Sequence, residues 1–148
     1  MLKIPPTILD QIKSHGVDSY PYEGCGLLLG QVEEGVNVVT AVRPLPNVWP
    51  DEEAKRTRFR IAEDDWRDAE LEAMLADLDV IGVFHSHPDH PPVASPRDLA
   101  WAAWSGYSYM ITEIRTGRPA ASRSWQLQSD RSGFVEEELI EYILEIKQ

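Results

Sequence analysis

Cysteine is nearly missing from this 148-residue chain: Cys25 stands alone, so no disulfide can form within it. A lone thiol fits a reducing compartment, and a cytoplasmic location is expected. Positive charge is scarce as well. Fourteen Lys and Arg face twenty-five Asp and Glu, a formal net charge of −11. Such a surface repels phosphate backbones and anionic lipids, which argues against nucleic acid and membrane surfaces as partners. A basic or neutral protein, or a cation, suits it better. No apolar run approaches the roughly 20 residues a membrane helix needs. The opening Met1-Leu2-Lys3-Ile4-Pro5-Pro6 has no sustained apolar stretch, so no secretion signal is expected. Repeats, low-complexity tracts and Gly/Ser linkers are also missing. Splitting so short a chain would starve two cores, so residues 1–148 read as one domain.

What is present is a series of short apolar segments separated by turn formers. Pro6 and Thr7 open an amphipathic helix carrying Ile8, Leu9 and Ile12, with Gly16 as its expected stop. Gly26 to Gly30 reads as a buried strand, and Val36 to Val42 as the next one, hairpin-paired with it. Pro44 to Arg58 is a long loop, and long loops often carry function. Phe59-Arg60-Ile61 reads as a short strand. From Glu63 the pattern predicts a helix with Leu71, Leu75 and Leu78 on its apolar spacing. Its acidic first turn, Glu63, Asp64 and Asp65, faces the positive end of the helix dipole. Val80 to Phe84 is a central strand running into His85. After a proline-rich turn, Ser95-Pro96 starts a helix that ends near Gly106. Tyr107 to Ile114 and Ser122 to Leu127 read as strands. Val135, Leu139, Tyr142, Ile143 and Ile146 follow a helical period, with the start of that segment open to strand. Interleaved strands and helices give an α/β or α+β domain, with a mixed sheet favoured over a parallel one.

Chemistry concentrates in His85-Ser86-His87-Pro88 and, seven residues beyond Pro88, in Ser95-Pro96-Arg97-Asp98. Residues two apart on a strand project to the same side, so His85 and His87 can offer two imidazoles to one ion. Asp98, in the first turn of the next helix, can fold back as a third ligand. Two neutral nitrogens and one carboxylate are a catalytic zinc set that leaves the fourth position to water. The ion would lower the pKa of that water and polarise a carbonyl. A carboxylate base outside the ligand set is still required, and Glu23, beside the apolar strand, is the candidate. Ser95-Pro96-Arg97-Asp98 is also a helix-capping signature, with Ser at the N-cap, Pro at the first helical position and an acid three residues in. Both readings can hold together.

His85 to His90 also matches the H-x-H-x-D-H string of metallo-β-lactamase-like hydrolases. Those enzymes need histidines well downstream, and here none follows His90; His15 lies far upstream. That reading fails. Cys25, two residues from Glu23, reads as a small buried residue rather than a nucleophile, because both candidate histidines are committed to metal. Asp89 and His90 read as solvated turn residues, and the five tryptophans as core.

With Glu23, His85, His87, Ser95 and Asp98 assembled, the chain resembles the JAMM (MPN-plus) zinc metallopeptidases, over about residues 2 to 127. Their pattern is an upstream Glu, then H-[ST]-H-P, seven residues to a Ser, and an Asp three further on; every position is filled here. The context Glu23-Gly-Cys-Gly-Leu-Leu-Leu-Gly30 also resembles the family's strand opening. The resemblance implies a curved mixed β-sheet flanked by helices, with cytidine-deaminase-like layering. It implies one zinc per chain on His85, His87 and Asp98, Glu23 as general base and proton carrier, and Ser95 as hydrogen-bond donor to the oxyanion. It further implies a peptidase or isopeptidase acting on a protein or peptide, with the C-terminal tail of a ubiquitin-like sulfur carrier as the favoured substrate. Asn47, in the long loop, is a candidate for holding such a tail. Two other classes stay open: a non-catalytic MPN-like interaction module, and a metal-dependent amidohydrolase on a small molecule.

Overall fold

The computed structural model describes residues 1–96, 98 and 106–143. Among them lie eight strands and two α-helices: β1 (Leu2–Ile4), α1 (Pro6–Ser19), β2 (Cys25–Glu33), β3 (Val36–Leu45), α2 (Glu63–Leu75), β4 (Asp79–Pro88), β5 (Ser108–Arg115), β6 (Arg118–Leu127), β7 (Phe134–Glu137) and β8 (Leu139–Glu141). The strands form one mixed sheet in the order β7-β6-β5-β4-β2-β3-β1-β8. β4 pairs in parallel with β5, and β1 with β3 and β8, while β2 runs antiparallel to both of its neighbours.

The two edge strands, β7 and β8, are consecutive in the chain with only Glu138 between them. A chain can step across one residue from one sheet edge to the other only if the sheet curls until its edges meet. Polar contacts hold the seam: the Leu2 amide donates to the Glu138 carbonyl at 2.9 Å, and the Ser124 hydroxyl to the Glu137 carboxylate at 2.7 Å. Curling hides the backbone groups that free edges would expose. It also decides the segment after Val135, whose period was helical but whose start was open to strand. Val135 and Leu139 lie on β7 and β8, because β6 and β1 present unpaired ladder groups that this segment satisfies. Ile146 lies outside the described residues.

Side-chain alternation divides the interior in two. Cys25, Leu27 and Leu29 of β2 face one cluster, with Val83, Tyr109, Phe59 and Ala69 and Ala73 of α2. Leu28 faces the other, with Phe84, Met110 and Ile8, Leu9 and Ile12 of α1. Three local expectations change here. Gly16 does not end α1; the helix runs on to Ser19, and Gly16 is buried within it. A Cβ there would lie 2.8 Å from Ile114 Cδ1, so this glycine lets the helix sit close against β5. In α2 the leucines are not the buried face. Leu71 and Leu75 are 51% and 79% exposed, whereas Ala69 and Ala73 are at 1% and 2%. The small side chains at i and i+4 meet the sheet, and leucine spacing alone could not say which stripe faces inward. Phe59-Arg60-Ile61 is irregular chain rather than strand, with Phe59 alone buried. Pro96 and Asp98 are helical, but the rest of the helix expected up to Gly106 lies outside the described residues.

Candidate metal centre

β4 delivers the histidines. Val83, His85 and His87 alternate onto the α2 side of the sheet, and Phe84 and Ser86 onto the α1 side. His85 and His87 are 2% and 1% exposed, with their Nε2 atoms 3.0 Å apart. Nδ1 of His87 lies 2.7 Å from the Pro91 carbonyl oxygen. A carbonyl only accepts, so Nδ1 carries the proton and the lone pair stays on Nε2, aimed at His85. The ring of His85 is stacked on Phe59 at 4.7 Å. The proline-rich turn is therefore a device for fixing a tautomer.

Asp98 comes from the far side of that turn. Its Oδ1 lies 3.0 Å from His85 Nε2 and its Oδ2 3.5 Å from His87 Nε2. Burial by itself raises the Asp98 carboxyl. The charge of His85, hydrogen bonds with both imidazoles and the Ser95 amide outweigh it and hold the group well below the usual carboxylate range. The site thus presents an anion to two imidazoles. Tetrahedral coordination with bonds of about 2.0–2.1 Å spaces ligand atoms about 3.3 Å apart. The observed separations of 3.0, 3.0 and 3.5 Å bracket that spacing. The donor set fits a zinc-sized cation.

Ser95 closes a reciprocal cap with Asp98. Its amide and hydroxyl donate to Asp98 Oδ2 at 2.7 and 2.9 Å, and the Asp98 amide donates back to Ser95 Oγ at 3.2 Å. Capping and ligand placement are therefore one structure, with Oδ2 steadied by Ser95 and Oδ1 turned to His85.

Glu23 sits just before β2 and is 2% exposed. Its backbone is clamped on three sides. The Glu23 amide donates to the Lys55 carbonyl at 2.7 Å, and Asn47 Nδ2 donates to the Glu23 carbonyl at 3.0 Å. The next residue, Gly24, donates to Ser86 Oγ at 2.8 Å and accepts from the Ser86 amide at 2.9 Å. A carboxylate oxygen of Glu23 and ring nitrogens of His87 and His90 lie within 4.8 Å of one another. The fold therefore brings Glu23, His85, His87, Ser95 and Asp98 together from three separate stretches of chain.

Asn47 is occupied otherwise than expected. Its Nδ2 donates to the Glu23 and Arg58 carbonyls, both at 3.0 Å, and its Oδ1 accepts from the Trp49 and Arg60 amides, both at 3.1 Å. Four backbone groups engage the amide that was assigned to a substrate strand. His90 is half-buried and stacked on His87, 4.0 Å between centroids with 20° between planes, rather than solvated. Burial, and after it the neighbouring His87, lowers its pKa. Asp89 is exposed yet tied, accepting from the Tyr20 hydroxyl and from the Thr116 amide at 2.6 Å. Cys25 is buried, and burial, followed by the charge of Glu23, pushes its thiol up to about 12. It is no nucleophile at neutral pH.

Sequence reasoning gave no role at the site to Ser86 or Phe59, and took His90 for a solvated residue. Ser86 had a signal: in a strand, the residue between two ligands must face the other way, toward whatever backs the site. Phe59 had none, because its partner His85 lies far along the chain on another element.

Residues 5–128 match the family described as prokaryotic homologs of the JAB domain. A desampylase from Haloferax volcanii is 33% identical over 106 residues, which is 71% of this chain and 72% of that protein. A probable TtuB-protein conjugate cleaving protease from Thermus thermophilus is 33% identical over 108 residues, 70% of this chain and 65% of that protein. The chain thus spans a little under two thirds of the Thermus protein's length. The crystal structure of a JAB1/MPN domain protein from Archaeoglobus fulgidus superimposes with a TM-score of 0.61 at 21% identity, covering 94% of this chain and 97% of that one. It shares the fold.

Proposed function

The chain belongs to the family of prokaryotic homologs of the JAB domain, and from that membership we propose that it is a zinc-dependent isopeptidase or peptidase. Its proposed substrate is a protein joined to the C-terminal tail of a ubiquitin-like carrier, hydrolysed at that amide bond. The names of the two relatives, a desampylase and a conjugate cleaving protease, support this substrate class. The observation that carries the chemistry is Glu23, a buried carboxylate outside the His85–His87–Asp98 set yet within 4.8 Å of a His87 ring nitrogen.

His85, His87 and Asp98 would hold the ion, which when bound supplies Lewis acidity and a lowered pKa for water. Glu23 takes the proton of the attacking water and carries it to the departing amine. Its clamped backbone keeps the carboxylate over the histidines through both transfers, so neither needs a reorganisation of the loop. Ser95 donates its one hydroxyl proton to Asp98 in this structure. In the reaction it turns that proton to the carbonyl oxygen as negative charge builds there. A donor in such a position is worth on the order of 2.7–4 kcal/mol.

The test uses a fusion of a ubiquitin-like carrier to a reporter, with zinc counted by elemental analysis. Wild type is expected to hold one zinc and cleave after the carrier tail. E23Q is expected to keep the zinc and lose turnover, and D98N to lose both. Undiminished turnover by E23Q removes the proposed base. A wild type that binds no zinc and cleaves nothing leaves the interaction module.

A further inference from the structure

Glu23 faces two donor groups, and only one of them is used above. With ring nitrogens of His87 and His90 it forms a cluster that shares just His87 with the His85–His87–Asp98 set. His90 is prepared as a ligand in the same way as His87. Its Nδ1 lies 2.8 Å from the Pro88 carbonyl oxygen and must donate to it, which leaves the lone pair on Nε2. Stacking on His87 fixes the plane of the ring. His87, however, has a single lone pair to give, because its Nδ1 proton is committed to Pro91. Two ions cannot share that lone pair. The set with three ligands takes it, and a further ion is left Glu23 and His90.

We infer that Glu23 and His90 form a second, weaker site for a divalent cation such as zinc, and that filling this site stops hydrolysis. A carboxylate and an imidazole are both good zinc ligands, and waters complete the coordination of a two-residue site. A carboxylate bound to a dication is a poor base, so an ion held there removes the proton acceptor the reaction needs. The chain would then be active when zinc suffices for one site and silenced when zinc is in excess. The silencing, though not the binding, rests on Glu23 being the base of the proposed reaction.

Zinc chloride titrated into the metal-free chain tests this, with heat of binding, dialysis stoichiometry and cleavage rate followed together. Wild type is expected to bind two equivalents, the first tight and the second weak, and to lose activity as the second fills. H90Q and H90A are expected to bind one equivalent and to cleave at the wild-type rate with one zinc bound. Loss of an outer partner alone costs about 10–100-fold in metal affinity, and loss of a ligand costs no less. The zinc concentration for half inhibition should therefore rise at least about ten-fold in both variants. E23Q should also bind only one equivalent, a readout that needs no activity, and thermal melts of all variants check folding. A second equivalent bound equally well by wild type, H90Q and H90A overturns the site, as does a wild type that stops at one. If the first equivalent binds and the second does not, this site alone falls. If E23Q binds one zinc and still cleaves, the proposed reaction falls while the second site stands.

Discussion

Replacing Asn47 by Asp keeps the size of the side chain and its acceptors for Trp49 and Arg60, and removes the two N–H donors that hold the Glu23 and Arg58 carbonyls. A neutral hydrogen bond contributes about 1 kcal/mol net, so about 1 kcal/mol of direct restraint on the Glu23 backbone is lost, and about 2 kcal/mol once the Arg58 tie that anchors Asn47 itself is counted. If all of it were expressed at the base, kcat would fall about thirty-fold. Water can reach the exposed Arg58 end and recover part, so the expected loss is about three- to thirty-fold in kcat, with KM little changed. Steady-state cleavage of a carrier fusion measures both constants, and hydrogen exchange at the Trp49 and Arg60 amides reports whether the loop has loosened. Zinc content should stay at one per chain, because Asn47 touches none of His85, His87 and Asp98. A raised KM with kcat intact refutes the reasoning, since it would put Asn47 against the substrate. Unchanged kinetics with faster exchange would show that the tie holds the loop and not the base.

Cys25 tests the local electrostatics. Its folded pKa of about 12 stands above the usual thiol value of about 8.5, so its contribution to stability is complete below that value and is lost as pH rises toward 12. Denaturation midpoints should decline across that alkaline window and decline less in C25A. At pH 8 the native chain should resist iodoacetamide while the urea-unfolded chain is alkylated, and C25A should leave turnover unchanged. Labelling of the native thiol would mean that the burial is wrong. On α2, L75Q should change stability by less than about 0.5 kcal/mol, as exposed substitutions do. A73L should cost about 1–3 kcal/mol by overpacking the alanine face, and thermal melts that reverse this order would invert the helix.

Much of the candidate site was readable because it is local. His85 and His87 are two apart on a strand, and Ser95 and Asp98 share one helical turn, so period and capping chemistry place each pair before any fold is known. Glu23 was readable only as a residue type at a family position. Nothing between Glu23 and His85 says that β2 and β4 are neighbours, and that adjacency is a matter of sheet order. The same limit explains Asn47. Its four partners lie between 2 and 24 residues away, and an exposed-looking amide in a proline-rich loop carries no mark of them. It explains the C-terminal segment as well, where a helical period was outweighed by the unpaired edges of β6 and β1.

By itself the amino-acid order determined which atoms could bind a cation, because strand alternation and a helix cap are consequences of backbone geometry over a few residues. It also determined that a single thiol leaves no disulfide within the chain and that acidic side chains outnumber basic ones. Only the tertiary structure decided which carboxylate stands over the histidines, which stripe of α2 faces inward, and that His90 lies on His87 within reach of Glu23. Those are contacts between distant stretches of chain, and no local preference encodes them; they exist because the sheet curls closed and brings its strands into one order.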